Sequence, residues 1–147
     1  MRLWHWRLIP YLPNQQLLGQ WRECNLIARN LSERETPNHI LVNRVVEYPV
    51  EEFLGYCKAV ANEMEKRGFK ADILKLREKL CGPVLFWNMK VTPDTPFFKG
   101  WHNDRYLIQC YYNLQEKYDS GGIPFESWVK LQMFMNNTGL IPHDVVG

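Results

Sequence analysis

The chain predicts an all-α fold, a compact single domain over residues 1–147 with an extended N-terminal arm and irregular loops. Three observations carry that reading. Apolar residues recur at helical rather than alternating spacing, and glycines and prolines punctuate the ends of those segments. Hydrophobic residues make up 46% of the chain and aromatics 14%, which is enough to fill a core at a length of 147 residues.

Taken in order, residues 1–12 are short, apolar and aromatic and read as an extended arm packed on the body. A first helix is expected from about Asn14, a good N-cap, to about Asn30. At 100° per residue Leu17, Leu18, Trp21, Cys24, Asn25 and Ala28 share one arc of it. Gln15, Gln16, Gly19, Gln20, Arg22, Glu23 and Arg29 share the other. Leu26 and Ile27 fall on the polar arc, so its far end is expected to be covered on both sides. Gly19 costs about 1 kcal/mol inside a helix, which points either to something approaching the backbone there or to tight helix–helix packing.

Residues 31–47 read as a loop, with turn-prone Thr36-Pro37-Asn38 and a short β-branched run around Ile40–Val46. A second helix follows, with Pro49 in its first turn, Glu51 and Glu52 at the positive end of its dipole, and Lys66-Arg67-Gly68 closing it. A third is expected over about Ala71–Leu80, stopping at Gly82-Pro83. The proline-containing stretch Gly82–Gly100 reads as a long irregular loop. A fourth helix covers about Asn103–Tyr118, and a last one runs from Pro124 to about Asn136 with Gly139 as terminator. The stretch Trp101-His102-Asn103-Asp104-Arg105 fits either a capped helix start or part of a ligand rim.

Charge and motifs exclude several function classes. The net charge of +2 is modest for a nucleic-acid binder, yet the first 57 residues hold six arginines and no lysine. Arginine presents a planar fork suited to phosphate, although ordinary pairing with Glu33, Glu35 and Glu47 would account for the same residues. Cys24, Cys57, Cys81 and Cys110 stand alone in apolar helical patterns, where a buried thiol fits. His5, His39, His102 and His143 are scattered, so neither a metal nor a cofactor is expected. There is no P-loop, GxSxG or dinucleotide fingerprint. The opening residues are interrupted by charge and do not read as a signal peptide, and no apolar run approaches a membrane span. A cytoplasmic protein is the simplest expectation.

The chemistry-bearing feature is Arg22-Glu23, a guanidinium and a carboxylate adjacent on the polar arc of the first helix. An α-amine has a pKa of roughly 7.7–8.0, low enough to act unprotonated as a nucleophile. The first lysine is Lys58, so among amines the N-terminal segment offers only that of Met1. The stretch Gln15-Gln16-Leu17-Leu18-Gly19-Gln20-Trp21-Arg22-Glu23 resembles the "DQHLxAEYRE" segment of the pyrimidine-dimer DNA glycosylase/AP lyase family, the phage endonuclease V type, at the same distance from the start. The resemblance continues through Val50-Glu51-Glu52-Phe53-Leu54 and Lys66-Arg67-Gly68-Phe69 and reaches towards Tyr106–Lys117. The opening Met1-Arg2-Leu3-Trp4-His5 is similar to that of uncharacterised bacterial members.

The resemblance implies a small all-α enzyme acting on damaged duplex DNA. Its N-terminal amine attacks C1′ of the damaged nucleotide, an imine forms, and β-elimination cuts the strand. It places Met1 and Glu23 in catalysis and Arg22 on a phosphate. Gln15 and Gln16, on the same face, are read as further substrate contacts, and so are Arg29, which projects the same way as Arg22, and Arg7, joining them from the arm. The chain departs from the family at Gln16, where the family has histidine, and at Leu26, where it has arginine; Arg29 is the expected substitute. Family members expose a small second residue, whereas Arg2 is bulky and Met1 is expected to be retained. The family's basic aromatic C-terminal segment has no counterpart in Phe125–Gly147. Two other readings stand beside the enzyme: an interaction module that keeps the fold without the chemistry, and a scaffold in which Arg22 and Glu23 form a buried structural ion pair.

Overall fold

Helices form wherever the apolar spacing demands them, and no strand occurs among the described residues. The computed structural model describes residues 2–33, 40–82 and 89–142. The turn at Thr36-Pro37-Asn38, together with Met1, His39 and His143, lies outside those residues. The helices are α1 (Asn14–Ser32), α2 (Ile40–Val45), α3 (Val50–Lys66), α4 (Ile73–Cys81), α5 (Asp104–Asp119) and α6 (Phe125–Thr138).

The N-terminal arm is not extended throughout. Trp6–Tyr11 coil into a 3₁₀ helix whose first turn is capped by the His5 side chain, with Pro10 inside it. Nor is Asn14 the cap of α1. Pro13 holds that position without a side-chain cap, and Asn14 instead accepts a hydrogen bond from Arg67 (3.0 Å). The β-branched run expected in a loop folds as the short helix α2, whose Leu41, Val42 and Val45 all enter the core. Tertiary burial overrides the weak helix preference of the two valines.

The 3₁₀ helix packs against α3 and α6, α1 lies on α3 and α4, and α5 packs on α6. Leu3, Leu8, Leu17, Phe53, Tyr56, Phe98, Leu107 and Leu114 are fully or almost fully buried in a shared core. Arm, α1, α3 and α5 therefore close around the same apolar centre. Gly55 makes one approach possible. A Cβ there would meet Cε1 of the Phe97 ring at 2.5 Å, so only glycine admits the loop before α5 this close to α3. Phe98 follows at φ 56°, a backbone conformation rare for a bulky residue, and it buries its ring against Tyr56 and His102.

The buried stripe of α1 differs from the expected arc. Gln20 and Ile27 are buried with Leu17, Cys24 and Ala28, while Leu26 is exposed. The far end of α1 is therefore covered on one side only. Cys81 departs from the buried-thiol expectation in the same way, since it is exposed at the end of α4. No helix among the described residues is long and apolar enough to cross a membrane.

Candidate active site

A predominantly polar cleft of about 410 Å³ opens between the first half of α1 and the last two turns of α5. Gln15, Gln16, Gly19, Gln20 and Glu23 form one wall, Arg2 and Trp4 of the arm the base, and Asn113, Glu116 and Lys117 the other wall. Helical spacing sets the first wall. Positions 16, 19, 20 and 23 lie on one face of a 3.6-residue helix, and Gln15 adjoins them. Among the described residues Gly19 has no packing partner to demand it. A Cβ there would make only an ordinary 3.6 Å contact with Nη2 of Arg22, so the glycine leaves the cleft wall low rather than admitting a second helix.

Glu23 is half-buried, and its Oε1 is shielded from solvent without a hydrogen-bond partner among the described residues. Gln16 Oε1 is in the same state. Two unsatisfied acceptors beside one polar cleft favour a ligand that brings donors or positive charge. Arg22 is exposed and makes no ion pair with Glu23 among the described residues. The buried-ion-pair scaffold is therefore excluded.

Gln15, Gln16 and Glu23 thus meet around one cleft, with Arg22 beside Gly19 at its edge. Met1 lies outside the described residues, but its neighbour Arg2 lines the cleft. Two expected contacts fall elsewhere. Arg7 does not join Arg22 and Arg29; it turns towards α6 and lies over the Phe134 ring at 5.4 Å. Arg29 stands about 10 Å further along α1 than Arg22 and pairs with Glu33 at 3.1 Å. That pair is exposed and worth at most about 1 kcal/mol, so it yields readily to a phosphate.

Sequence reasoning missed Arg2, Asn113, Glu116, Lys117 and the buried role of Gln20. The i, i+3, i+4 spacing of 113, 116 and 117 was legible, but it is also the pattern of any solvated helix face. Of the stretch Trp101–Arg105, Asn103 caps α5 by accepting from the Tyr106 N–H (2.9 Å), and none of its residues lines the cleft. A second, apolar pocket of about 250 Å³ lies between the 3₁₀ helix, α3 and residues 91–97. Its one acid among the described residues, Glu63, is held by Arg67 at 2.7 Å, so the polar cleft is the better place for chemistry.

His5 of the arm stacks on His102 at 5.2 Å. Burial depresses both, His5 to about 4 and His102 to about 2. They are neutral at working pH and act as acceptors: His102 Nδ1 takes the Trp6 N–H (3.1 Å) and His5 Nδ1 the Arg7 N–H (3.1 Å). No group of three or more potential metal ligands occurs among the described residues.

Residues 1–76, more than half of the chain, match the family model for pyrimidine dimer DNA glycosylases. The chain belongs to that family. No curated protein and no solved structure matches it. Membership of the pyrimidine dimer DNA glycosylase family makes this a DNA glycosylase-like protein, and the all-helical architecture accords with it. The matched segment contains the arm, α1, α2, α3 and the start of α4. It therefore covers one wall and the base of the cleft, while the α5 wall lies beyond it.

Proposed function

We propose that the chain is a DNA glycosylase/AP lyase acting on damaged duplex DNA, with the Met1 amine as nucleophile and Glu23 as its assisting carboxylate. The observation that carries the reading is the meeting of Arg2 and Glu23 in one polar cleft, with Glu23 Oε1 shielded and left without a hydrogen-bond partner among the described residues. In this reading the amine nitrogen attacks C1′ and the bond to the base breaks. Opening of the sugar ring leaves an imine at C1′, with O4′ taking a proton. Glu23, first a counter-charge to the cationic sugar, then accepts the C2′ proton. The electrons of that C–H bond expel the 3′ phosphate, and water releases the product.

Gln15 and Gln16 supply donors and acceptors within the cleft, and Arg22 takes a flanking phosphate bidentately. Arg29 reaches a second phosphate on leaving Glu33, and Arg7 falls outside the contact set. The nucleotide must leave the base stack before an amine can reach C1′. The reading takes residues 1–147 as one domain, because α5 and the matched segment face each other across the cleft.

Borohydride reduction of a mixture with abasic-site DNA tests this directly. We expect a covalent adduct mapping to Met1, lost on N-terminal acetylation. Glu23→Gln should keep DNA affinity and suppress strand cleavage. An adduct on a lysine would place the chemistry elsewhere. Gln16 and Leu26, together with the net charge of +2, favour a second reading, an interaction module that keeps the fold without the chemistry. DNA binding without any adduct would support it.

A further inference from the structure

We propose that Gln20, Tyr56, Tyr106 and His102 form a receptor for the main chain of residues 2–6, and that Gln20 and Tyr56 are positioning residues that fix where the N-terminal amine stands against Glu23. The proposal rests on the reading of that amine as the nucleophile.

Among the described residues, every hydrogen bond between this receptor and the arm goes to the arm's backbone. Gln20 Nε2 donates to Arg2 O (3.1 Å), and its Oε1 accepts from Trp4 N (2.7 Å). The Tyr56 hydroxyl lies 2.5 Å from Trp4 O and 3.2 Å from Gln20 Oε1, its one proton shared between them. Tyr106 donates to Leu3 O (2.6 Å), and His102 Nδ1 accepts from Trp6 N (3.1 Å). These four side chains come from α1, α3, α5 and the residues just before α5, so the arm is held from several directions at once.

Apolar burial alone does not supply this function. Leu3 and Trp4 are buried in the core, but burial is non-directional and tolerates sliding. Directional bonds set register. A slip of one residue along extended chain is about 3.3 Å, as large as the approach of roughly 3–3.5 Å that a reacting pair requires. Gln20 also selects a direction. With its amide reversed, the Nε2 donor would face the Trp4 N–H and the Tyr56 hydroxyl, and the acceptor would face the Arg2 carbonyl. Burial raises the Tyr56 and Tyr106 hydroxyls above their ordinary value, so both remain protonated donors.

Gln20 is buried on the helix face that lines the cleft because the arm takes up both ends of its amide. It joins the wall that carries Glu23 to the strand of backbone that carries the amine, three residues away from the carboxylate in sequence and about one helical turn.

The test compares the parent protein with Gln20→Met, which keeps similar volume and removes both bonds, and with Tyr56→Phe. Two readouts are taken: amide hydrogen exchange of residues 3–6, and the single-turnover rate of borohydride-trappable adduct formation alongside DNA affinity. We expect exchange in the arm to rise while α3 and α5 stay protected. The adduct rate should fall by about tenfold or more with affinity within about twofold, the signature of lost positioning rather than lost binding. Unchanged arm exchange overturns the receptor. Released arms with an unchanged adduct rate overturn the positioning role. Absence of adduct in the parent protein overturns the nucleophile reading and the positioning role with it, and exchange then decides the receptor alone. Should Gln20→Met fail to fold, Tyr56→Phe, which removes only the hydroxyl bonded to Trp4 O, carries the test, and the same outcomes apply.

Discussion

Arg67→Met should be among the most destabilising single changes in this protein, because one guanidinium fastens three segments. Its Nε donates to Glu63 Oε2 at 2.7 Å, Nη1 to Leu12 O at 2.6 Å and to Asn14 Oδ1 at 3.0 Å, and Nη2 to Pro10 O at 3.0 Å. The end of the 3₁₀ helix, the start of α1 and the end of α3 therefore meet on one side chain. Hydrogen bonds to a charged group contribute about 1.5–3 kcal/mol each, though not additively. Removing one partner of a buried pair costs about 3–5 kcal/mol, because the other charge is left behind. The two side chains here are 20% and 10% exposed, so water relieves part of that, and about 3 kcal/mol is expected. At ~2–4 °C per kcal/mol the melting temperature falls by about 10 °C. Urea unfolding is the assay, with the midpoint lowered and the slope unchanged. Adding Glu63→Met should recover part of the loss by removing the stranded carboxylate. Arg67→Lys should behave more like methionine than like arginine, since a point charge cannot reach all four acceptors. A loss below about 1 kcal/mol, or a double variant equal to the sum of the singles, would refute the reasoning.

Three further outcomes follow from the same geometry. Gly55→Ala should destabilise by about 1–3 kcal/mol despite the better helix propensity of alanine, because its Cβ would overlap the Phe97 ring; a rise in melting temperature would show that the ring moves aside freely. Stability should be lost in acid: His5 and His102 are depressed to about 4 and about 2 in the folded chain, so the unfolded chain takes up protons first as pH falls below about 6.5. The contribution is complete above that pH and is lost from there down towards pH 4 and below. His102→Asn, which retains an acceptor for the Trp6 N–H, should flatten the melting-temperature profile over that range. Affinity for duplex DNA should fall with salt, and Arg22→Gln and Arg29→Gln should each reduce the logarithmic slope by about 0.9. Arg7→Gln should leave the slope unchanged, and a reduction there would return Arg7 to the contact set.

Much of the candidate site was legible because it is written on one helix. Gln15, Gln16, Gly19, Arg22 and Glu23 are close in sequence, and helical geometry alone places them near one another. Arg7 was misplaced for the opposite reason. Its direction depends on a 3₁₀ turn and on a ring of α6 distant in sequence, and no local pattern records either.

Gln20 marks the division most clearly. By itself the sequence determined the all-α class, the order of the five longer α-helices and most of the polar arc of α1, because periodicity, caps and breakers act over a few residues. It placed Gln20 on that arc as a surface amide. The tertiary structure decided that Gln20 is buried, that the arm lies across it, and that α5 supplies the opposite wall of the cleft. Those outcomes depend on hydrogen bonds between residues 16 to 103 positions apart. A buried amide with partners and a solvated amide without them look alike in sequence, and only folding separates them.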